Sequence, residues 1–403
     1  MKECLFCKKR KFNTLIDLKS SFVANNLKNE QRKKYSLKVV CCKYCKLFQL
    51  DKLLSSKLLF NSNYPYLSST SKSWLNHSRI YVEKMTKIMK LNKKSKVLEI
   101  ASNDGYLLNF FKKKGINVLG VEPSKSVAFI AKKKGINTII KFFGLKTALK
   151  LSKFNYEADL IVLKNVLAHV PNINDFVSGL PLVLKKNGQI TIEFPHVLEL
   201  IKKNQFDTIY HEHFTYLSIT FLVKLFHKHN LKIHDVEKLK THGGSLRIYV
   251  SHLSQKFKTS NRVNKIILEE KNYKLHSNKT FKLFQKRVSE TKKNFHTFLN
   301  YAKKNRKKIL GYAAAAKSIT FLSYMNYHDG ILKYVIDKNK LKISKKIPGT
   351  KIIIKDEKFI KKYKPDYIIL FAWNLKKEVF SQLNYIKTWN SKFLTFVPKF
   401  KMF

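Results

Sequence analysis

Residues 208–216 hold more proton-handling side chains than any other stretch of the 403-residue chain. They read Thr-Ile-Tyr-His-Glu-His-Phe-Thr-Tyr, so two imidazoles, one carboxylate and two phenols fall within nine positions. An imidazole can act as a base near neutral pH, a neighbouring group can orient it, and a phenol can donate a hydrogen bond to a developing oxyanion. The segment fits an active site and also a polar surface loop, so the rest of the chain must decide between them.

The five cysteines all lie in the first 45 residues, a confinement that indicates a metal site. Cys4 and Cys7 form one Cys-x-x-Cys pair, and Cys42 and Cys45 form a second after 34 intervening residues. Tetrahedral structural zinc sites are commonly built from two such pairs, whereas disulfides are rare in the cytosol. We therefore predict a structural Zn²⁺ bound by these four thiolates. Cys41 is an alternative to Cys42, although the Cys42–Cys45 spacing fits the motif better.

The chain is strongly basic, with 81 Lys and Arg against 26 Asp and Glu and a net charge of +55. Lysine supplies most of this charge and is spread evenly, without the dense basic stripe beside stacking aromatics that nucleic-acid binders use. We expect anionic substrates such as phosphates and no specific nucleic-acid partner. The absence of any apolar stretch of about 18 residues predicts a soluble, cytoplasmic protein without a membrane span. Monomer and homodimer both stay open.

Apolar runs alternate with helical patterns in the middle of the chain. Strands are predicted at 96–100, 117–121, 158–163 and 188–194, with Lys- and Phe-rich helices between them. This order of elements predicts an α/β domain with a doubly wound, Rossmann-like parallel sheet.

A second alternating pattern begins near residue 308. Strands are predicted at 308–312, 334–337, 351–354 and 366–373, which indicates a smaller α/β domain of the same general kind.

A long helix is predicted between these two blocks. Its apolar residues recur at spacings of three, four and seven and should form one buried face: Phe281, Phe284, Val288, Phe295, Leu299 and Ala302. The predicted organisation is a zinc-binding module over 1–62, a central domain over 63–240 and a C-terminal domain over 241–403.

A polar turn follows the first strand of the central domain and predicts a cofactor site, because ligands of open α/β sheets bind at the carboxyl ends of the strands. Its only glycine is Gly105, whereas a dinucleotide fingerprint needs three, so NAD is disfavoured. An acidic, polar turn favours the sulfonium cofactor S-adenosylmethionine over a nucleotide or a purely structural turn. Glu122, 18 residues after Asp104, is placed to hold ribose hydroxyls. The candidate contacts are Glu99, Ala101, Ser102, Asn103, Asp104, Gly105, Glu122 and Pro123.

Short motifs run along nearly the whole chain. They comprise the paired cysteines, Tyr-Pro-Tyr-Leu-Ser-Ser at 64–69, Leu-Glu-Ile-Ala-Ser-Asn-Asp-Gly at 98–105, Asn-Val-Leu-Ala-His-Val-Pro at 165–171, Phe-Asp-Thr-Ile-Tyr-His-Glu-His-Phe at 206–214, His-Gly-Gly-Ser-Leu-Arg at 242–247, Gly-Tyr-Ala-Ala-Ala-Ala-Lys at 311–317, Ile-Pro-Gly-Thr at 347–350 and Ala-Trp-Asn at 372–374. In type and order they resemble class I methyltransferases that alkylate a sugar carbon in nucleotide-linked deoxysugar biosynthesis. The departures are mild: Ala101 and Ala313 stand where that family usually has Gly, and Tyr106 where Thr is common.

The resemblance implies a zinc-binding module, an S-adenosylmethionine domain and a Rossmann-like C-terminal domain that helps to hold a nucleotide sugar. It further implies methylation of carbon 3 of a 4-keto sugar, whose proton is acidic because the keto group can take the charge as an enolate. By resemblance His213 is the base, and Tyr210 and Glu212 position the base or the sugar. His169 and Tyr64 are the implied donors to the 4-keto oxygen. Asn165 joins the cofactor contacts on the same ground.

Contacts to the nucleotide sugar are expected from two further regions. The 242–247 motif would bring a backbone turn and a guanidinium close to a phosphate or sugar, or else form a simple Gly-Gly hairpin. Lys317 at a helix start and Asp337 at a strand end are the best nucleotide contacts of the C-terminal domain. The complete set is Tyr66, His242, Arg247, Lys317, Asp337, Trp373 and Asn374. His211 is left out, because alternation in an extended segment points it away from Tyr210 and Glu212.

The sequence therefore predicts an S-adenosylmethionine-dependent C-methyltransferase acting on carbon 3 of a nucleoside-diphosphate 4-keto-6-deoxysugar. Methylation of an oxygen or nitrogen on a related nucleotide sugar is the alternative enzyme activity. A nucleic-acid-binding zinc protein is an alternative of another class, based on the zinc module and the positive charge. A scaffold that keeps the fold without activity is the third.

Overall fold

The computed structural model describes residues 3–24, 33–59, 67–328 and 330–403. Its strands are β1 (Phe12–Ser21), β2 (Tyr35–Cys42), β3 (Phe48–Leu50), β4 (Lys96–Ile100), β5 (Asn117–Val121), β6 (Thr138–Ile139), β7 (Ala158–Lys164), β8 (Leu184–Pro195), β9 (Thr215–Tyr216), β10 (Leu231–Leu239), β11 (Ser245–His252), β12 (Ile309–Tyr312), β13 (Leu332–Ile336), β14 (Ile353–Lys355), β15 (Tyr367–Leu370), β16 (Lys392–Thr395) and β17 (Lys401–Met402).

The α-helices are α1 (Ser56–Leu59), α2 (Lys72–Ile88), α3 (Leu108–Lys112), α4 (Lys125–Lys133), α5 (Leu145–Lys153), α6 (Ile173–Gly179), α7 (Val197–Lys202), α8 (Ile219–Lys228), α9 (Asn261–Asn272), α10 (Asn278–Lys304), α11 (Ala316–Met325), α12 (Phe359–Tyr363) and α13 (Lys376–Gln382). Single turns of 3₁₀ helix at Leu167–His169, Phe206–Thr208 and Thr241–Gly243 border the candidate site.

The central domain is built on a seven-stranded sheet of order β10-β11-β8-β7-β4-β5-β6. The five strands from β8 to β6 are parallel, as predicted, because each is followed by a helix or turn that crosses back over the sheet. The expectation of a purely parallel sheet is wrong at one edge, where β11 runs antiparallel to both β8 and β10. A tight connection joins β10 to β11, so the chain needs no crossover there.

The central sheet continues past the predicted domain boundary after residue 240, as far as His252. Strand β11 pairs with β8 along residues 245–250 and is an integral part of the central sheet. The 241–245 turn therefore lies inside the central domain, and helices α9 and α10 form the connection to the C-terminal domain.

The zinc-binding module forms a small antiparallel sheet of order β1-β2-β3-β9. Its fourth strand comes from the central domain: Phe48 pairs with Tyr216 and Gln49 with Thr215. The last two residues of the proton-handling segment are thus hydrogen-bonded into the zinc module.

The C-terminal domain has a six-stranded sheet of order β14-β13-β12-β15-β16-β17. The first five strands are parallel and β17 is antiparallel. The predicted α/β character of this domain is confirmed.

Helix α10 buries the predicted apolar face in the core that the zinc module shares with the C-terminal domain. Phe284, Val288 and Phe295 are fully buried there. The ring of Phe295 packs edge-to-face against Phe321 and against Phe396, in each case with the ring centroids 5.1 Å apart. Such geometry adds to the stabilisation from burial. Within the described ranges, none of the helices has the length and apolar character needed to cross a membrane.

We expect Phe295→Ala to lower the free energy of unfolding by about 3–5 kcal/mol, because it leaves a cavity among aromatic rings at a domain junction. Chemical denaturation followed by circular dichroism measures the change. Phe154→Ala is the matched control, since Phe154 is 84% exposed and its loss should cost no more than about 0.5 kcal/mol. Equal losses in the two variants would show that α10 does not join the domains as described.

Candidate active site

The four predicted zinc ligands converge at one point of the zinc module. The Sγ atoms of Cys4, Cys7, Cys42 and Cys45 all lie within 4.8 Å of one another. Two of the distances, Cys4 to Cys45 and Cys7 to Cys42, are 3.5 Å. Sulfur atoms at the corners of a Zn–S₄ tetrahedron with bonds of about 2.3 Å are about 3.8 Å apart, so the thiolates fit Zn²⁺. Cys41 lies outside the cluster and is buried in the neighbouring core, so the structure selects Cys42.

The cofactor turn begins directly after β4 and folds through left-handed backbone. The φ angles are +55° at Ala101, +51° at Asn103 and +72° at Gly105. A side chain at Gly105 would come within 3.0 Å of Ile136, so glycine is needed there for space and for conformation. Ala101, one of the two departures from Gly noted in the sequence, adopts a conformation that L-residues disfavour. Ala313, the other, does the same with φ of +78°.

Glu122 organises the turn from the end of β5. Its carboxylate accepts hydrogen bonds from the backbone amides of Asn103 at 3.0 Å and Ser124 at 2.8 Å, across Pro123. Burial raises the pKa of Glu122, and these two hydrogen bonds oppose the rise. Glu122, the residue predicted to bind the ribose hydroxyls, is therefore fixed in position at the carboxyl edge of the sheet.

Several buried polar atoms near the ends of β4 and β7 have no hydrogen-bond partner within the described residues. They are Glu99 Oε2, Ser102 Oγ, Asp104 Oδ1 and Asn165 Oδ1. Burial raises the pKa of Glu99 well above its usual value. Unsatisfied buried groups cost free energy, so this concentration fits a site that is completed by a polar ligand such as the amino-acid and ribose parts of S-adenosylmethionine.

His213 is held in a defined tautomer. Its Nδ1–H donates to the carbonyl oxygen of Thr208 at 3.0 Å, and its Nε2 accepts the hydroxyl proton of Tyr210 at 2.7 Å. Burial, His169, His242 and Lys317 together hold the pKa of His213 well below its usual value. At neutral pH His213 is thus uncharged, with its basic nitrogen facing Tyr210.

His169 lies against His213, with ring centroids 4.8 Å apart. Its Nδ1–H donates to the backbone oxygen of Glu212 at 2.8 Å, and Phe214 N donates to Ala168 O at 2.7 Å. Burial lowers the pKa of His169 to about 4, so Nε2 carries no proton at neutral pH. In this tautomer Nε2 can accept a hydrogen bond but not donate one, whereas the resemblance implied that His169 is a donor to the keto oxygen.

The Glu212 side chain is buried. His211 turns to the zinc module, where its Nε2 donates to Tyr35 O at 3.3 Å. The decision to leave His211 out of the catalytic set agrees with this geometry. Tyr64 and Tyr66 lie outside the described residues.

His242 enters the site from the 241–243 turn with φ of +51°. Its Nε2 accepts a hydrogen bond from Asn165 Nδ2 at 3.1 Å, so the remaining proton is on Nδ1. Burial, aided by Lys317, lowers the pKa of His242 to about 4. Trp74 of α2 packs edge-on against the ring at 5.4 Å. The structure thereby joins a predicted cofactor contact to a predicted substrate contact.

The C-terminal domain contributes a lysine to the same site. Lys317 Nζ donates to Asn374 Oδ1 at 2.6 Å and lies 4.2 Å from the centroid of Trp373. Trp373 Nε1 donates to the buried carboxylate of Asp207 at 2.7 Å. Lys317, Trp373 and Asn374 thus meet the 206–213 segment of the central domain, together with His242.

Two predicted substrate contacts are engaged elsewhere. Arg247 is buried in β11, where it forms ion pairs with Glu193 at 3.1 Å and Glu237 at 3.0 Å and covers the Tyr81 ring. In the structure its guanidinium, which was predicted to approach a phosphate or sugar, holds α2 and the sheet edge together. Asp337 accepts hydrogen bonds from the Ala314 and Asn339 amides at 2.9 and 2.8 Å and so fixes the turn before α11.

Sequence reasoning missed Asp207, Trp74 and the buried pair of Lys164 and Glu193. Asp207 lies within the quoted 206–214 motif, so position in a chemistry-bearing segment was a usable signal. Trp74 lies on a helix face, and Lys164 ends a strand with its amine 3.6 Å from Glu193. Trp74 and Lys164 have no local sequence pattern that distinguishes them from ordinary core or surface residues.

Comparison with known families agrees with this architecture. A zinc binding domain family matches residues 4–60, a methyltransferase domain family matches 74–236, and the C-methyltransferase C-terminal domain family matches 240–398. The three matches follow one another along the chain in the order zinc-binding domain, methyltransferase domain and C-methyltransferase C-terminal domain, and together they cover most of it.

A curated relative spans the same three domains. The chain is 27% identical to the C-methyltransferase NovU of Streptomyces niveus over 402 residues, which cover 98% of this chain and 96% of that protein. Among solved structures, it matches an S-adenosylmethionine-dependent methyltransferase of Anabaena variabilis with TM-score 0.37 and 16% identity, covering 47% of this chain and 88% of that one. It also matches magnesium protoporphyrin IX methyltransferase of Synechocystis with TM-score 0.36 and 14% identity, covering 44% and 83%.

The zinc assignment predicts different outcomes for two adjacent cysteines. Cys42→Ser should lose most bound zinc, because it removes one of four thiolates from the tetrahedron, whereas Cys41→Ser should keep one zinc per chain. Elemental analysis of the dialysed proteins measures the stoichiometry. Full zinc retention in Cys42→Ser together with loss in Cys41→Ser would reverse the ligand assignment.

Replacing Ala101 by Gly should stabilise the cofactor turn by about 0.5–1 kcal/mol, since relief of the left-handed strain exceeds the added entropy of the unfolded chain. The urea unfolding midpoint should rise. Ala128→Gly in α4 is the control and should lower the midpoint, because glycine weakens a helix. A fall in both variants would contradict the strained conformation at 101.

Proposed function

We propose that this chain transfers a methyl group to carbon 3 of a nucleoside-diphosphate 4-keto-6-deoxysugar. The observation that carries the proposal is the His213–Tyr210 pair, a neutral imidazole of defined tautomer in a buried site between the cofactor turn and the C-terminal domain. A carbon acceptor requires such a base, because the proton must leave before the carbon can attack an electrophile.

In this proposal His213 Nε2 removes the carbon-3 proton. The Tyr210 hydroxyl occupies that nitrogen in the structure, so it must turn aside when the sugar binds, and it can then donate to a sugar oxygen. Thr208 O continues to accept the Nδ1 proton and holds the ring as the imidazolium forms. This arrangement keeps the base oriented throughout the step.

The developing enolate oxygen needs hydrogen-bond donors, and two residues of the site can supply them. The Lys317 ammonium carries a charge, and His242 has its proton on Nδ1 because Nε2 accepts from Asn165. Donors that are already fixed in a buried site stabilise an oxyanion more than water does. Tyr64 stays a candidate for the same role, outside the described residues.

Bound S-adenosylmethionine supplies the electrophilic methyl group. The residues that would hold it are Asn103, Asp104 and Gly105 of the turn, Glu122 at the ribose and Asn165 at the end of β7. Their share is to orient the cofactor and exclude water from the carbanion.

The substrate class is supported by the charge of the protein and by its match to a C-methyltransferase. Lys317 places a cation from the C-terminal domain at the site, and the net charge of +55 favours anionic ligands such as nucleotide diphosphates. The chain also matches a C-methyltransferase along its whole length. The choice of carbon 3 and of a 4-keto-6-deoxysugar rests on the motif resemblance.

The proposal predicts exchange of the carbon-3 proton of a 4-keto sugar nucleotide in D₂O without cofactor. His213→Ala should slow this exchange by about 10²–10⁴-fold, the usual contribution of a general base. Proton NMR measures the exchange, and His227→Ala, an exposed histidine outside the site, is the matched control. Methyl transfer without any exchange would instead indicate an oxygen or nitrogen acceptor.

The same assay has a predicted pH dependence. The base works as neutral imidazole, and the pKa of His213 in the folded protein lies well below 6.5. Protonation of His213 should therefore cause no loss of rate between pH 8 and about 6.5, and should reduce the rate only at lower pH. A midpoint at or above pH 6.5 that disappears in His213→Ala would contradict the buried, neutral base.

A further inference from the structure

The junction between the central and C-terminal domains contains a buried carboxylate opposite the site lysine. Asp207 is 2% exposed and lies in the 3₁₀ turn Phe206–Thr208. One oxygen, Oδ2, accepts the Trp373 indole proton at 2.7 Å, while Oδ1 has no hydrogen-bond partner within the described residues. A buried carboxylate with one unpaired oxygen is costly unless a cation offsets its charge.

Helix α11 brings that cation to the carboxylate. It packs along the Phe206–Thr208 turn, and Thr320 Oγ1 donates to Ile209 O at 2.8 Å. Lys317 precedes Thr320 by three residues and therefore lies on the same helix face, one turn nearer to the site. Its ammonium rests on the Trp373 ring, whose nitrogen is bonded to Asp207. One indole thus contacts both charged groups.

The surroundings of Lys317 are otherwise unfavourable to a positive charge. The titratable groups that face it are Asp207 on the central-domain turn, His213 on the following segment and His242 on the 241–243 turn. Both imidazoles are neutral and each has its own pKa lowered by Lys317. Asp207 is the group among them that opposes the effect of burial on the lysine.

We propose that Asp207 is a positioning residue of the methyltransferase, which keeps Lys317 protonated and fixes the Trp373 indole on which the ammonium rests. This inference rests on the proposed function for the role of Lys317 toward an anionic reactant. Asp207 would keep Lys317 charged beside the neutral imidazoles of His213 and His242, so that a neutral base and a cation are present in one buried site.

The charge state predicts two titrations of the indole. Burial raises the pKa of Asp207 to about 6 and lowers that of Lys317 to about 8. Between these values the pair is ionised, below the range Asp207 becomes neutral, and above it Lys317 does. Because both groups contact Trp373, its fluorescence should change near pH 6 and near pH 8. The contribution of Trp373 is obtained by subtracting the titration of Trp373→Phe, with no substrate present.

Asp207→Asn is the decisive variant, since an amide oxygen can still accept the indole hydrogen bond while the charge is lost. The step near pH 6 should vanish, and the upper step should move to lower pH by about one unit, because the carboxylate no longer favours the ammonium. Lys317→Gln should lack the upper step. Asp366→Asn is the matched control: it removes a carboxylate that pairs with Lys307 at the opposite end of β15 and should leave both steps in place.

An unmoved upper step in folded Asp207→Asn would overturn the proposal, as would an upper step that persists in Lys317→Gln. If Asp207→Asn fails to fold, the lower step of Lys317→Gln still tests the pair: it should move to higher pH, because Lys317 lowers the pKa of Asp207, and an unmoved lower step would overturn the proposal. These titrations need no sugar nucleotide, so their failure is separate from failure of the proposed reaction. With an active substrate, Asp207→Asn should reduce kcat/KM about sixfold more at pH 8.5 than at pH 6.5, since lowering the pKa of Lys317 from about 8 by one unit removes most of the remaining ammonium at the higher pH but little of it at the lower pH.

Discussion

The backbone hydrogen bonds of residues 206–216 are the constraint on which the rest of the structure depends, because they tie one segment to all three domains. Phe214 N donates to Ala168 O of the central domain, and Leu50 N of the zinc module donates to Phe214 O at 2.9 Å. Thr320 of the C-terminal domain donates to Ile209 O. The proton-handling side chains therefore project from a strip of chain that no single domain holds alone.

This arrangement gives the zinc module a consequence for the site without placing the metal in it. Four thiolates leave no open coordination position on Zn²⁺, so the metal can act only through structure. It fixes the two cysteine turns at the ends of β1 and β2 and, through β3, the pairing with β9. β9 begins two residues after His213, so the pairing of β9 with β3 restrains the backbone that carries the base.

Much of the fold was predictable because local sequence patterns indicate its strands and helices. Apolar runs located the parallel strands, and the spacing from Phe281 to Ala302 located α10 and its buried face. Paired cysteines located the zinc ligands. Local patterns do not suffice where structure depends on distant partners. Nothing near Arg247 in sequence reveals that Glu193 and Glu237 neutralise it.

The candidate site shows the same division. Residue types in the 208–216 segment predicted a base and a group to orient it, but not which nitrogen of His213 is basic, since that depends on Thr208 O and Tyr210. Likewise Lys317 was predicted as a nucleotide contact of a separate domain. Its place beside Asp207 depends on the packing of α11 across the domain junction, which has no local signature.

The electrostatics of the site follow from one physical requirement. A base must be uncharged before it can take a proton, yet the enolate that it creates needs a nearby positive charge. Burial lowers the pKa of every basic group in the site, Lys317 as well as His169 and His242. A carboxylate that favours the ammonium of the lysine separates the two effects. Asp207 meets this requirement because it shares the Trp373 indole with Lys317 across the domain junction and raises the pKa of the lysine, while the Nδ1 proton of His213 is already held by a neutral carbonyl oxygen.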